Sequence, residues 1–217
     1  MFLTKTDKIK WGLLSIAFAA TLLICGLGVF WFDIPVFNFM RNFDISVWRF
    51  IDAVFSLKIW IIISGLILVV SVAINRILRK SRGETKLLQI TSDASRISFF
   101  VLSSVIASGA AVGILKFCIG RMRPIFFETF GTTGFFPFTN EWAFNSMPSG
   151  HTAASFAGLV MIGLMFPRIK WATWALAVII MLSRVSFGAH WPSDVLLGAF
   201  IGMVAADFVK SAFVKSL

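Results

Sequence analysis

The run from Ile59 to Ile74 contains no charged residue and is dominated by Ile, Leu and Val. A helix that crosses the hydrocarbon core of a bilayer needs about 20 mostly apolar residues. In lipid, every backbone N–H and C=O must also be satisfied within the spanning structure, which a helix achieves alone. Further stretches share this character, and six spans are predicted, at about 11–32, 59–78, 97–119, 152–167, 171–188 and 193–213. The expected fold class is all-α, a polytopic membrane protein with six transmembrane helices in one bundle and a single domain over residues 1–217. Composition agrees, since 14% of residues are charged where a soluble domain carries roughly 25%. Lys5, Lys8 and Lys10 before an apolar run, with Ala17-Phe18-Ala19 inside it, resemble a secretory signal. The run continues to Phe32, beyond an apolar signal region of ~7–15 residues, so it is read as a retained first span.

The net charge of +10 would suggest nucleic acid in a soluble protein. Here the basic residues fall mostly in short loops between apolar runs, and no zinc-finger spacing or long basic tract occurs, so no nucleic-acid partner is expected. Thirteen of the twenty Lys and Arg lie on the side shared by the N-terminus, residues 75–96, residues 168–170 and the C-terminus. The positive-inside bias then places both termini in the cytoplasm. On the other side, residues 33–58 mix Phe37, Phe39, Phe43, Trp48, Phe50 and Phe55 with Asp44, Arg49 and Asp52, the pattern of a helix lying in the headgroup region. Residues 125–147 are rich in Phe and Trp, and serve either as an interfacial anchor or as the border of a path for an acyl or prenyl chain. Gly198 and Gly202 in the last span would let helix backbones approach closely, within the monomer or between two copies. Cys25 and Cys118 are read as buried apolar thiols, with neither metal spacing nor a disulfide framework.

Ionisable residues at membrane depth are costly and tend to be paired or functional. On the side facing away from the cytoplasm they form three clusters. In the first, Lys116 and Arg123 are two helical turns apart and are expected on one helix face, with Pro124 ending the span. Their other reading is snorkelling side chains. Arg121 lies off that face at roughly 100° per residue and is assigned to lipid headgroups. The second cluster is Pro148-Ser149-Gly150-His151 at the start of the fourth span. A helix N-terminus presents free N–H groups and positive dipole to an anion, and Ser149 adds a hydroxyl. In the third, Arg184 offers a planar fork of donors, and Asp194 follows His190 by four residues. That carboxylate is expected to orient the imidazole, to cap the last span, or both.

Together these segments read Lys-x6-Arg-Pro, Pro-Ser-Gly-His and Ser-Arg-x5-His-x3-Asp, and contain both histidines of the chain. In type and spacing they resemble the signature of the type 2 phosphatidic acid phosphatase (PAP2) family, with every position present over residues 116–194. The resemblance implies a membrane lipid phosphatase. His190 would attack phosphorus and form a phosphohistidine, and Asp194 would orient it. His151 would act as general acid and then base, while Lys116, Arg123, Ser149, Gly150 and Arg184 hold the phosphate oxygens, with Ser183 nearby. No acidic cluster suited to magnesium appears on this side, so catalysis without metal or cofactor is expected. The same resemblance implies a bacterial inner-membrane enzyme acting on undecaprenyl pyrophosphate, lipid A, phosphatidylglycerol phosphate or phosphatidic acid, with the site expected to face the periplasm. Two other classes compete: a transporter whose charges mark an ion path, and a catalytically silent lipid-binding relative. The first is disfavoured because the charges cluster at span ends on one side; the second because His151, His190 and Asp194 are all present. A member acting on a water-soluble phosphate would be distinguished by its rate on short-chain against long-chain substrates.

Overall fold

The long apolar stretches become helices because lipid offers their backbone groups no other partner. A computed structural model describes residues 1–4, 6, 8–81 and 85–213. Lys5, Arg82 and Lys215, counted in the charge balance, lie outside the described residues. Nine α-helices occur among them: α1 (Trp11–Leu27), α2 (Asp33–Arg41), α3 (Val47–Val54), α4 (Leu57–Ser81), α5 (Thr85–Ile119), α6 (Pro124–Phe130), α7 (Gly150–Met165), α8 (Lys170–Ser186) and α9 (Pro192–Phe213). No strand is present among the described residues, only the isolated bridges Leu3 to Ile9 and Arg121 to Phe135. Five helical segments are long and apolar enough to cross a membrane: Trp11–Arg41, Leu57–Lys80, Lys86–Ile119, Pro167–Ser186 and Pro192–Phe213. The remaining expected span corresponds to α7, whose 16 residues reach ~24 Å at 1.5 Å per residue.

α7 is the axis of the bundle, packed against α4, α5, α8 and α9. Its residues from Thr152 to Met161 are all buried. Small side chains permit this, for a Cβ on Gly158 would sit 2.6 Å from the Trp60 ring of α4. α9 lies equally close: a Cβ on Gly198 would stand 2.6 Å from the Ser149 carbonyl, and one on Gly202 would meet the Ala153 carbonyl. The Gly-x-x-x-Gly pair therefore packs inside the monomer.

Two expectations are corrected. Residues 33–58 do not form one surface helix. Asp33–Arg41 continues the first helix through a π-helical turn at Gly28–Phe32, and α3 is separate. The sequence places a span end at the charged Asp33, but that carboxylate is ion-paired and buried, so the helix runs on. Cys25 is buried as expected, whereas Cys118 is exposed on α5.

Candidate active site

The first cluster is assembled by a break in helix rather than by helical phase. α5 ends at Ile119, and Gly120 adopts φ 59°, a conformation that suits glycine. A Cβ there would run into the Phe136 carbonyl. Arg123 is extended (φ −73°, ψ 152°) before Pro124, the first residue of α6, as the restriction on residues preceding proline requires. Lys116 and Arg123 thus do not share one helix face, contrary to expectation. The turn brings them together instead. Lys116 Nζ donates to the carbonyls of Asn145 and Ser146, and Arg123 donates to those of Trp142 (3.0 Å), Ala189 (3.2 Å) and Asn145 (3.2 Å). These partners are dipoles, so they orient both cations without neutralising them.

Ser149 stands at the N-cap position of α7 and Gly150 is its first residue. The His190 loop is folded back on α8 by N–H bonds from Ala189 and His190 to the Arg184 carbonyl (3.1 and 3.3 Å). As a result Lys116, Arg123, Gly150, His151, Arg184 and His190 all line one cavity of about 620 Å³. Leu57, Ile125, Trp142 and Phe187 form its apolar wall. Ser149 and Ser183 are buried behind this surface. Ser149 Oγ accepts from Thr152 Oγ1 (3.1 Å), and Ser183 Oγ donates to the Ile180 carbonyl (2.7 Å).

Asp194 stands behind His190, fully buried at the start of α9. Its Oδ2 accepts from Ser146 Oγ (2.5 Å) and from the Trp191 N–H (2.9 Å). The second bond satisfies one of the free donors at the helix N-terminus, so the capping role is real. Its distance to His190 Nδ1 is 3.7 Å, an electrostatic contact too long for a hydrogen bond. Burial pushes the His190 imidazole well below its ordinary 6.5, and Lys116, Arg123 and Arg184 push the same way against Asp194. The ring is therefore neutral at ordinary pH, with a lone pair to offer.

A sequence model of the PAP2 superfamily matches residues 98–216. The chain belongs to the PAP2 superfamily. Among relatives, the lipid A 1-phosphatase of Rhizobium etli is 36% identical over 127 residues, 58% of this chain and 53% of that protein. The chain thus spans about half the length of that relative. The undecaprenyl-diphosphatase of Sulfolobus acidocaldarius is 29% identical over 138 residues, 61% of this chain and 65% of that protein. The crystal structure of Aquifex aeolicus LpxE aligns over 82% of this chain and 93% of its own, at 20% identity and a TM-score of 0.48.

Two residues of this PAP2 chain that sequence reasoning places at the membrane surface sit at the site. Arg121, assigned to lipid headgroups, is 4% exposed. It pairs with Asp194 Oδ1 (2.7 Å) and Asp33 Oδ2 (2.7 Å). Burial works against its charge, but the two carboxylates outweigh that and hold the guanidinium firmly cationic. Asp52, assigned to a surface helix, lines the cavity from α3. It contacts His151 Nε2 (3.2 Å) and pairs with Arg184. No spacing rule could have found Asp52, because its partners His151 and Arg184 lie far along the chain on other helices. Arg121 carried one usable signal, its place between two motif cations.

Proposed function

We propose that this protein is an integral membrane lipid phosphatase, which hydrolyses a phosphomonoester or pyrophosphate of an envelope lipid through a phosphohistidine. The observation that carries this reading is the gathering of three cations, a helix N-terminus and both histidines onto one cavity. Phosphoryl transfer requires placement of the phosphorus and stabilisation of charge on its equatorial oxygens. Lys116 and Arg123, held by carbonyls alone, supply that charge, with Arg184 and the first amides of α7 beside them. His190, neutral and backed by Asp194, attacks phosphorus. His151 gives a proton to the leaving oxygen, then takes one from the water that hydrolyses the intermediate. The positive charge comes from the chain itself, so the reaction runs without a metal.

The lipid class is supported by the relatives, named as phosphatases of lipid A and undecaprenyl diphosphate, and by the apolar wall beside the phosphate cradle. A lipid reaches this wall sideways with its tails still in the bilayer. In this reading α7 completes six spans, and α3 with the Phe-rich loop lies at the outer surface. Both termini are cytoplasmic, and the cavity faces the periplasm across a bacterial inner membrane.

The test is phosphate release by purified protein in detergent with EDTA, across undecaprenyl pyrophosphate, lipid A, phosphatidylglycerol phosphate and phosphatidic acid, with His190→Ala alongside. Release that survives EDTA and disappears in the variant is expected, and the preferred lipid names the substrate. Equal release by the variant, or none from any lipid, would sink the reading.

A further inference from the structure

The guanidinium of Arg121 is held at both terminal nitrogens. Nη1 donates to Asp194 Oδ1 (2.7 Å) and Ser193 Oγ (2.6 Å), and Nη2 donates to Asp33 Oδ2 (2.7 Å). Asp33 in turn accepts the Ser193 N–H (2.9 Å) and Ser193 Oγ (2.5 Å). The rings of Trp191 and Phe135 lie 5.3 and 5.7 Å from Arg121 Cζ. All three charged groups are at most 5% exposed. Two carboxylates without a counter-charge at this depth would be very costly, and one rigid fork satisfies both.

The network ends at the catalytic loop. Asp194 gives one oxygen to Arg121 and the other to Ser146, the Trp191 N–H and, at 3.7 Å, His190 Nδ1. Arg121 itself does not line the cavity, so it cannot hold the phosphate. Asp33 reaches the network from the first helix, and the π turn at Gly28–Phe32 comes immediately before it. Such wide turns change the phase of the residues that follow, and here they direct Asp33 inward.

We infer that Arg121 and Asp33 are positioning residues for the nucleophile: they clamp the Asp194 carboxylate, and through it the His190 ring, so that the first helix sets the aim of the catalytic loop. This rests on the reading of His190 as the attacking group. The clamp explains why Asp194 keeps its charge and orientation without a direct hydrogen bond to His190. It acts on the chemical step alone, because neither residue touches the phosphate pocket.

The experiment is a double-mutant cycle on radiolabelled lipid phosphate, with Arg121→Lys, Asp33→Asn and Asp194→Asn singly and combined. Lysine keeps the charge but cannot span both carboxylates. Arg121→Lys is expected to lower kcat by about 10- to 100-fold with KM within about twofold, the pattern of an interaction lost only in the transition state. In the Asp194→Asn background the same change should cost less than about twofold, because residues acting as one unit are not additive. Asp33→Asn should follow the same pattern with a smaller loss, and it carries the cycle if Arg121→Lys does not elute as a monodisperse species. Equal losses in both backgrounds, a rise in KM at unchanged kcat, or wild-type rates in Arg121→Lys would each overturn the inference. A His190→Ala control as active as wild type fails the phosphatase reading itself. An inactive His190→Ala beside fully active clamp variants fails only the clamp.

Discussion

At the scale of single residues, the site turns on how each charge is partnered. Lys116 and Arg123 are held by main-chain carbonyls, while Arg184 is met by the Asp52 carboxylate. In the proposed reading, a phosphate must compete with Asp52 for Arg184. Asp52→Asn removes a negative charge from an anion pocket, so inorganic phosphate should inhibit about tenfold more strongly, near 1.4 kcal/mol. Inhibition constants measured beside the wild type check this, and unchanged inhibition would assign Asp52 to His151 alone. His190 gives a second test. Its folded-state proton affinity is depressed, so the ring should remain neutral as pH falls through 6.5. The unfolded chain takes up that proton near 6.5, so stability should also fall below that pH. The chain has two histidines, so ¹⁵N-histidine spectra with His151→Gln as assignment control resolve the signal. Half protonation at pH 6.5 would contradict the burial argument.

At the scale of elements, close helix contact positions the site. α9 carries Asp194 and lies on the Ser149 and Ala153 carbonyls through Gly198 and Gly202. Gly202→Val should force α9 from α7 and cost about 1–3 kcal/mol, as overpacking does. A Cβ on Gly26 of α1 would meet nothing within 4 Å, so Gly26→Ala should stay within about 1 kcal/mol of wild type. Thermal unfolding in detergent compares them, and equal melting temperatures would refute the tight seam. The two glycines of the Gly-x-x-x-Gly pair were legible in sequence. Which neighbour they served was not, because periodicity defines a face and gives no partner.

At the scale of the whole molecule, the bundle puts the cavity at the end of the helices where α5, α7, α8 and α9 converge. If that end faces outward, Thr132→Cys in a chain lacking Cys25 and Cys118 should react with a membrane-impermeant maleimide in intact cells. Arg168→Cys, at the opposite end of α7, should react only after lysis. The reverse pattern would invert the topology inferred from charge. The opposite end of the bundle has its own buried polar point, Asp207 of α9, which accepts the Phe2 N–H at 2.5 Å.

The helical class, the helices of the bundle to within a few residues at most ends, and the residue types that gather at the candidate site were all legible in the amino-acid order. Those properties depend on apolar run length and on local order along the chain, which bilayer thickness and turn chemistry constrain directly. The folded bundle alone reveals that Lys116 and Arg123 meet across a broken helix, that Asp52 enters the cavity, and that Asp33, Arg121 and Asp194 share one buried network. Each of these depends on charges brought together from separate helices. A buried charge is tolerable only when its partner arrives, and that partner's distance in sequence carries no record of the meeting.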